Sequence, residues 1–439
     1  MTEMRPHSFI SVWSVSVIAV GGCKDSSKGV LAHQDGAEDV VGDSTTTDAI
    51  DDTISRGPEK PDFCSIGPAQ MTFGTAGSCG YMKGDEPLSG CSFEGPNGPE
   101  PSMLCDVAGE RCTTAAASCR EGWCHVPAMS FLAGISVDVL AATEDSAADR
   151  GLTFDDARRE SVNHGFWVQD AEISRKDFAN VMGYLPSVSR GCESDDCPAP
   201  FASVFEAMNY ANRLSRLWGL SECYALVDCA FRQEPHPHDR GPDLRMWSCE
   251  SAKPVGSSCG GVRLPNMLEA ELVGRAGAAF CTEVGPIQPN IMLNACTDIW
   301  DLGDICWHCA NARSNRPECE EPASLYPDCT SPQVGRQLRA NPFGLYDIHG
   351  NLGEYTEGRI CSGPEVEPCE EAASVSSASE IVEGAGGVAF GGFHLYGGPA
   401  CCGSFRVAWA VSYASYSLAT LGLRLVRTDH GECPEPSPE

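Results

Sequence analysis

Twenty-five cysteines in 439 residues constrain this chain more than any other feature. They follow no repeat, and so many thiols in one chain point to an oxidising compartment and a disulfide framework. Seven fall between Cys64 and Cys124, in a stretch rich in Gly, Pro and Ser. Seven is odd, so at least one of them pairs outside the stretch or stays reduced. The charge balance is equally lopsided: 61 acidic residues against 30 basic give a net charge of -31. Nucleic acid is excluded as a partner, because phosphate binding needs clustered Lys and Arg. An acidic surface favours solubility and attracts cations.

The N-terminus accounts for one odd cysteine. Phe9 to Val20 is an apolar run of 12 residues, too short to span a bilayer as a helix. It ends in Val20-Gly21-Gly22-Cys23, which resembles a bacterial lipoprotein signal box. That resemblance implies cleavage before Cys23 and a lipid on its sulfur, with an exported, envelope-anchored protein touching the membrane through the lipid alone. A plain secretory signal with a coincidental Cys is the alternative. Glu3 offsets Arg5, so a start at Met4 gives the cleaner signal. Without Cys23, 24 cysteines remain, enough for twelve disulfides.

Composition then divides the chain into 1–23 (signal and lipid-bearing Cys), 24–61 (acidic linker), 62–127 (Cys-rich extension), 128–429 (main domain) and 430–439 (tail). The linker is rich in Asp, Ser and Thr and nearly lacks aromatics, so it cannot bury enough apolar surface to offset its ordering entropy. Cys112, Cys119, Cys124 and His125 offer a zinc set in the extension, but no tight C-x2-C pair supports it.

Within the main domain, three helix starts carry capping signals. Ser174 faces Asp177, Ser203 faces Glu206, and Asn266 faces Glu269, each three residues on. Phe178 and Met182 share one face of the first helix, which Gly183 stops. Ala207, Ala211, Leu214 and Trp218 form the apolar stripe of the second, which Gly219 ends. Met129 to Gly134, His164 to Val168 and Leu421 to Val426 read as strands. Local disulfides Cys192/Cys197, Cys223/Cys229 and Cys249/Cys259 suit the spacing, though spacing alone does not fix connectivity.

The most informative stretch runs from Asn341 to Tyr355. Asn341-Pro342 opens a turn. Leu345, Tyr346 and Ile348 anchor it, and Asp347, Asn351 and Glu354 bring hard oxygens close together, as a calcium loop requires. Asn-Pro-Phe-Gly-Leu-Tyr-Asp-Ile-His-Gly-Asn-Leu-Gly-Glu-Tyr resembles the signature of the formylglycine-generating enzyme (sulfatase-modifying factor) family. Gly353 and Tyr355 stand where that family usually has Trp. Three further segments match in order: Met129-Ser130-Phe131-Leu132-Ala133-Gly134 with Glu172-Ile173-Ser174, then Arg263-Leu264-Pro265 through Arg275, then Leu421-Gly422-Leu423-Arg424. The resemblance implies a compact α+β domain related to the C-type-lectin-like fold, with short elements and long loops.

It also implies sites. Active family members oxidise a peptide cysteine to formylglycine with oxygen and copper(I), which two thiolates hold. Counted from Gly391-Gly392, Tyr396 falls on the first of these cysteines and Cys401 on the second, with Cys402 adjacent. One thiolate and a phenol make a poor copper(I) site, so Cys401 and Cys402 are the catalytic candidates of a degraded centre. The calcium ligands implied are the side chains of Asp347 and Glu354 with the carbonyls of Gly350 and Leu352. The alternative is that Asp347 and Glu354 cap turns or pair with Arg424 or Arg339. Cys306-Trp307-His308-Cys309 reads as structural rather than redox-active, since no thioredoxin-like βαβ pattern frames it. Gly256-Ser257-Ser258-Cys259-Gly260 lacks the strand and helix of a nucleophile elbow. The expectation is a non-catalytic binding or structural lipoprotein, its ligand a peptide, glycan or protein. The alternative is a copper-dependent oxidase.

Overall fold

The computed structural model describes residues 57–67, 69–76, 92–95, 98–101, 104–106, 111–133, 152–153, 158–186, 192, 194–201, 203–234, 244–276, 303–308, 311–312, 330–360, 381–382, 386–390, 406–410 and 421–431. All lie in one compact unit, Asp52–Glu439. Cys23, most of the 24–61 linker, Cys401 and Cys402 fall outside the described residues. No described helix is long and apolar enough to cross a membrane.

The framework strands are β1 (Trp123–Val126), β2 (Phe166–Gln169), β3 (Gly353–Ile360), β4 (Gly386–Phe390), β5 (Arg406–Ala410), β6 (Leu421–Gly422) and β7 (Val426–Thr428). The helices are α1 (Arg175–Met182), α2 (Val204–Leu217) and α3 (Met267–Arg275). One sheet is antiparallel, in the order β7-β2-β1 followed by Cys119–Arg120. A second runs β6-β3-β4-β5 followed by Leu152–Thr153, with β6 parallel to β3, and smaller sheets of two or three strands accompany these two.

All three capping signals are realised. The Ser174 and Ser203 hydroxyls accept from the amides of Asp177 and Glu206, each at 3.1 Å. Asn266 and Glu269 form the full reciprocal box, so two otherwise unpaired N–H groups are satisfied at the start of a helix that is buried along its whole length. Gly183 closes α1 at φ 78°, a conformation that side-chain-bearing residues rarely adopt.

The closing strand departs from the expectation. Leu421 to Val426 was to be one alternating strand, yet it is two pieces in two sheets, β6 and β7, joined by an irregular run. The cause is burial. Leu421, Leu423, Arg424, Leu425 and Val426 are each at most 1% exposed. A segment buried on every side crosses the core between sheets instead of showing one face to solvent.

The expected boundary at residue 128 is not a seam. β1 precedes it and pairs along its length with β2, Trp123 opposite Gln169 and Val126 opposite Phe166. The end of the linker is also structured. Phe63 is buried, with its ring centroid 5.2 Å from those of Trp123 and Trp167 and 6.1 Å from that of Trp218. The Trp218 indole donates to the Pro58 carbonyl at 2.8 Å, and the Trp167 indole to that of Ile66 at 3.3 Å. Burying one such ring contributes about 2–3 kcal/mol. Residues 57–66 are thus a strap seated on the domain.

Cys192–Cys197 is bonded as expected. The other two local pairs are corrected to Cys223–Cys259 and Cys229–Cys249. Register explains the exchange. Tyr224 faces Pro254 and Val227 faces Ser251 in an antiparallel pair, so the residue two beyond Val227 meets the residue two before Ser251. The zinc set is likewise corrected, because Cys119 and Cys124 are bonded to each other.

Candidate functional site: a buried charge cluster beside an acidic cleft

The signature stretch folds as a tight irregular turn ahead of β3. Asp347 and Asn351 take left-handed backbone, φ 53° and 55°, and Gly350 takes φ 78°. Gly350 is obligatory: a Cβ there would lie 1.9 Å from the Trp307 carbonyl oxygen. That close approach comes from a short parallel pairing of His349–Gly350 with Cys306–Trp307. Cys306 is disulfide-bonded, in keeping with a structural role.

This turn brings Asp347 and Glu354 into one buried cluster with Glu172 and Arg424. The Arg424 guanidinium is buried and donates to Glu354 Oε1 from Nε at 2.8 Å. Its other nitrogens donate to the carbonyls of Gln169 (2.9 Å) and Tyr346 (2.8 Å). Asp347 Oδ1 accepts from the Trp307 indole at 3.0 Å, and Oδ2 from the Arg336 amide at 2.6 Å. Glu172 accepts from the Asn351 side-chain amide at 2.6 Å and the Leu352 amide at 2.9 Å. Three carboxylates therefore share one buried guanidinium. Burial pushes the Glu172 carboxyl well above its usual range, and the neighbouring charges of Asp347 and Glu354 push it further. Burial also raises Asp347 and Glu354, with Arg424 opposing in both cases.

In this arrangement the two side chains of the calcium set implied by the resemblance are engaged by protein donors. Both Asp347 oxygens face N–H donors, and Arg424 holds Glu354 through Oε1. Among the described residues no group of three or more His, Cys, Asp or Glu side chains is placed to hold a metal. Hard-cation sites need oxygens turned to a common point; these point to protein donors. In the sequence Glu172 stands only as a motif match, whereas Arg424 is also the alternative partner offered for Asp347 or Glu354, and the pair with Glu354 is the one that forms. Their roles appear once the fold brings residues 172, 347, 354 and 424 together.

A second buried network lies where α3 meets β7. Arg263 clasps Glu269 through two bonds, 2.8 and 2.6 Å, and donates to the Thr428 hydroxyl at 2.9 Å. His164 Nε2 lies 2.7 Å from Glu269 Oε1. Burial alone would raise Glu269, but the Arg263 charge and bonds outweigh it and bring the carboxyl to about 2. The Gly256–Ser258 turn is a 3-10 turn flanked by the oxidised Cys259, and Ser258 donates to the Val255 carbonyl, so no nucleophile elbow forms.

Beside the first cluster opens a cleft of about 890 Å³. Its floor runs from Gln169 to Ile173 and includes Glu172. The strap from Pro58 to Asp62 forms one wall, Val334–Arg336 another, and the first turn of α1 closes the end.

Fold and site together define a disulfide-stiffened α+β domain built around buried Arg–carboxylate networks. The chain matches the sulfatase-modifying factor enzyme 1-like domain over residues 120–429, and it belongs to that family. The chaperone protein LppX of Paenibacillus barcinonensis is 23% identical over 223 residues, 48% of this chain and 66% of LppX, so the match spans just under two thirds of that protein. Similar solved structures are Treponema denticola variable protein 1 (TM-score 0.46, 19% identical, 72% of this chain and 96% of that one) and PvdO from Pseudomonas aeruginosa (0.42, 14%, 70% and 94%).

Proposed function

We propose that this protein is an exported, non-catalytic binding protein on a sulfatase-modifying-factor scaffold, tethered to the envelope by a lipid on Cys23. The observation that carries it is the state of the thiols. All ten cysteines whose side chains are described are disulfide-bonded, which is the mark of a protein matured in an oxidising compartment. The copper centre adds a second support, since Tyr396 stands where the family places its first copper cysteine. Copper(I) selects soft thiolates, and a phenol is a hard replacement. The ligand is a peptide, glycan or protein segment.

The oxidase reading competes, and it needs Cys401 or Cys402 reduced. Its test is direct. The copper(I)-loaded protein is incubated with a peptide carrying a sulfatase cysteine motif, in oxygen, and aldehyde is sought by hydrazide capture and mass spectrometry. The binding reading expects no aldehyde; stoichiometric aldehyde overturns it. Calcium is a separate matter. With Arg424 neutralising Glu354, the signature turn stands without a metal ion, so melting in millimolar calcium and in EDTA should coincide. A calcium-dependent rise in Tm would mean that the cluster opens to admit the ion. A Cys23→Ser variant should lose membrane association if the anchor is lipid.

A further inference from the structure

The cleft has chemistry of its own. Seven carboxylates line it against three cationic side chains. Two of those cations are the exposed Lys60 on the strap and Lys176 on α1. The third is already committed, because Arg336 pairs with Asp170 through Nε and Nη2. Three of the carboxylates are not: among the described residues Glu59, Asp62 and Asp196 carry no side-chain hydrogen bond or ion pair, and Glu59, Asp62 and Asp196 are exposed at the rim. Glu59 and Asp62 belong to the strap. That strap lies outside the residues matched by the family domain, and it is pinned by the Phe63 ring in its aromatic slot and by the Trp218–Pro58 and Trp167–Ile66 bonds. The chain thus adds a wall to the domain, and that wall converts an open face into a cleft of ligand size.

We propose that this cleft binds a short basic peptide segment, with Lys or Arg head groups against Glu59, Asp62 and Asp196 and their methylene stems along Pro58 and Val334. Long basic side chains suit such a site because they lay an apolar stem on apolar surface while the charged head stays at the solvated rim. The excess of seven carboxylates over Lys60, Lys176 and Arg336 in the lining sets the sign of the ligand and disfavours acidic partners. The same chemistry is offered by a polyamine, but a peptide also fills the length between the strap and the first turn of α1. The proposal deepens the binding reading above and rests on it.

The test uses a fluorescein-labelled pentapeptide of alternating Lys and Gly, its Glu-for-Lys counterpart, and spermidine, read by fluorescence anisotropy and competition at physiological ionic strength. The Lys peptide should bind at least tenfold more tightly than the Glu peptide, and spermidine should compete poorly. The triple variant Glu59→Gln, Asp62→Asn, Asp196→Asn should weaken binding at least fivefold. A charge-matched control outside the cleft, Glu222→Gln, Asp228→Asn, Glu250→Gln, should leave it unchanged. All six positions are exposed, so both variants should melt like the parent. Equal weakening by both triples would show that only the diffuse negative field attracts the peptide, and would overturn the site. Spermidine binding as tightly as the peptide would overturn the peptide assignment. Thiol mapping on the same sample separates the two failures. Lost peptide selectivity with Cys401 and Cys402 oxidised sinks the cleft alone, while a reduced Cys401 sinks the non-catalytic reading and leaves the cleft measurable.

Discussion

Two buried arginines do opposite electrostatic work in this protein. Arg263 meets Glu269 in a bidentate clasp, and Glu269 is driven down to about 2. Arg424 meets Glu354 with Glu172 and Asp347 close by, and all three carboxyls are driven up. The arginine bonds differ: Arg263 reaches both Glu269 oxygens, whereas Arg424 reaches Glu354 Oε1 and gives its remaining donors to the carbonyls of Gln169 and Tyr346. Number matters as well: burial raises all three carboxyls around Arg424, and one guanidinium does not offset it for three, whereas Arg263 gives its two carboxylate bonds to Glu269 alone. The first network is a matched staple between α3 and β7. The second is overloaded, and it lies directly beneath the cleft, with Glu172 part of both.

That contrast can be broken by mutation. Arg424→Met should be the most damaging change, because it strands three buried carboxyls; removing one partner of a buried pair costs about 3–5 kcal/mol, and this site should lie at the upper end. Chemical denaturation would measure it. A loss under 1 kcal/mol would mean that the carboxyls are already neutral. Glu269→Gln comes next, at about 3 kcal/mol, since it leaves Arg263 buried without its counter-charge. Phe63→Ala should cost about 3 kcal/mol through the cavity in the aromatic slot and should red-shift tryptophan emission, because Trp123, Trp167 and Trp218 line that slot.

The smallest effect is the pH profile, and its sign differs between the networks. Glu269 is depressed in the folded state, so its contribution is present above the ordinary carboxylate range and is lost as pH falls towards about 2. Glu172, Asp347 and Glu354 are raised, so theirs is complete below the ordinary range and is lost as pH rises through the folded values. Tm should therefore decline from mildly acidic to alkaline pH, and Glu172→Gln should flatten that decline. An unchanged slope in the variant would assign it elsewhere.

Much of this architecture was legible in the sequence. The three caps were readable because Ser174, Ser203 and Asn266 act on residues three positions away. Arg263 and Glu172 were readable only as motif residues, since the 263–428 and 172–352 contacts join distant parts of the chain, whereas the Arg424–Glu354 pair already stood as the alternative to calcium in the signature stretch. The split of the closing strand was hidden because a two-sided burial pattern and an alternating one look alike over six residues. The disulfides failed for a related reason: nearest-neighbour spacing paired Cys223 with Cys229, while the antiparallel register at Tyr224 and Pro254 decides the matter. The strap was masked by its composition, in which one Phe outweighs a polar neighbourhood.

The central claim is that this scaffold binds and does not oxidise. The most direct measurement is alkylation of the natively purified protein without reduction, followed by digestion and mass spectrometry of each cysteine. The account predicts Cys401 and Cys402 both blocked in disulfides to distant cysteines. A stoichiometrically alkylated Cys401 would contradict it and restore the copper oxidase.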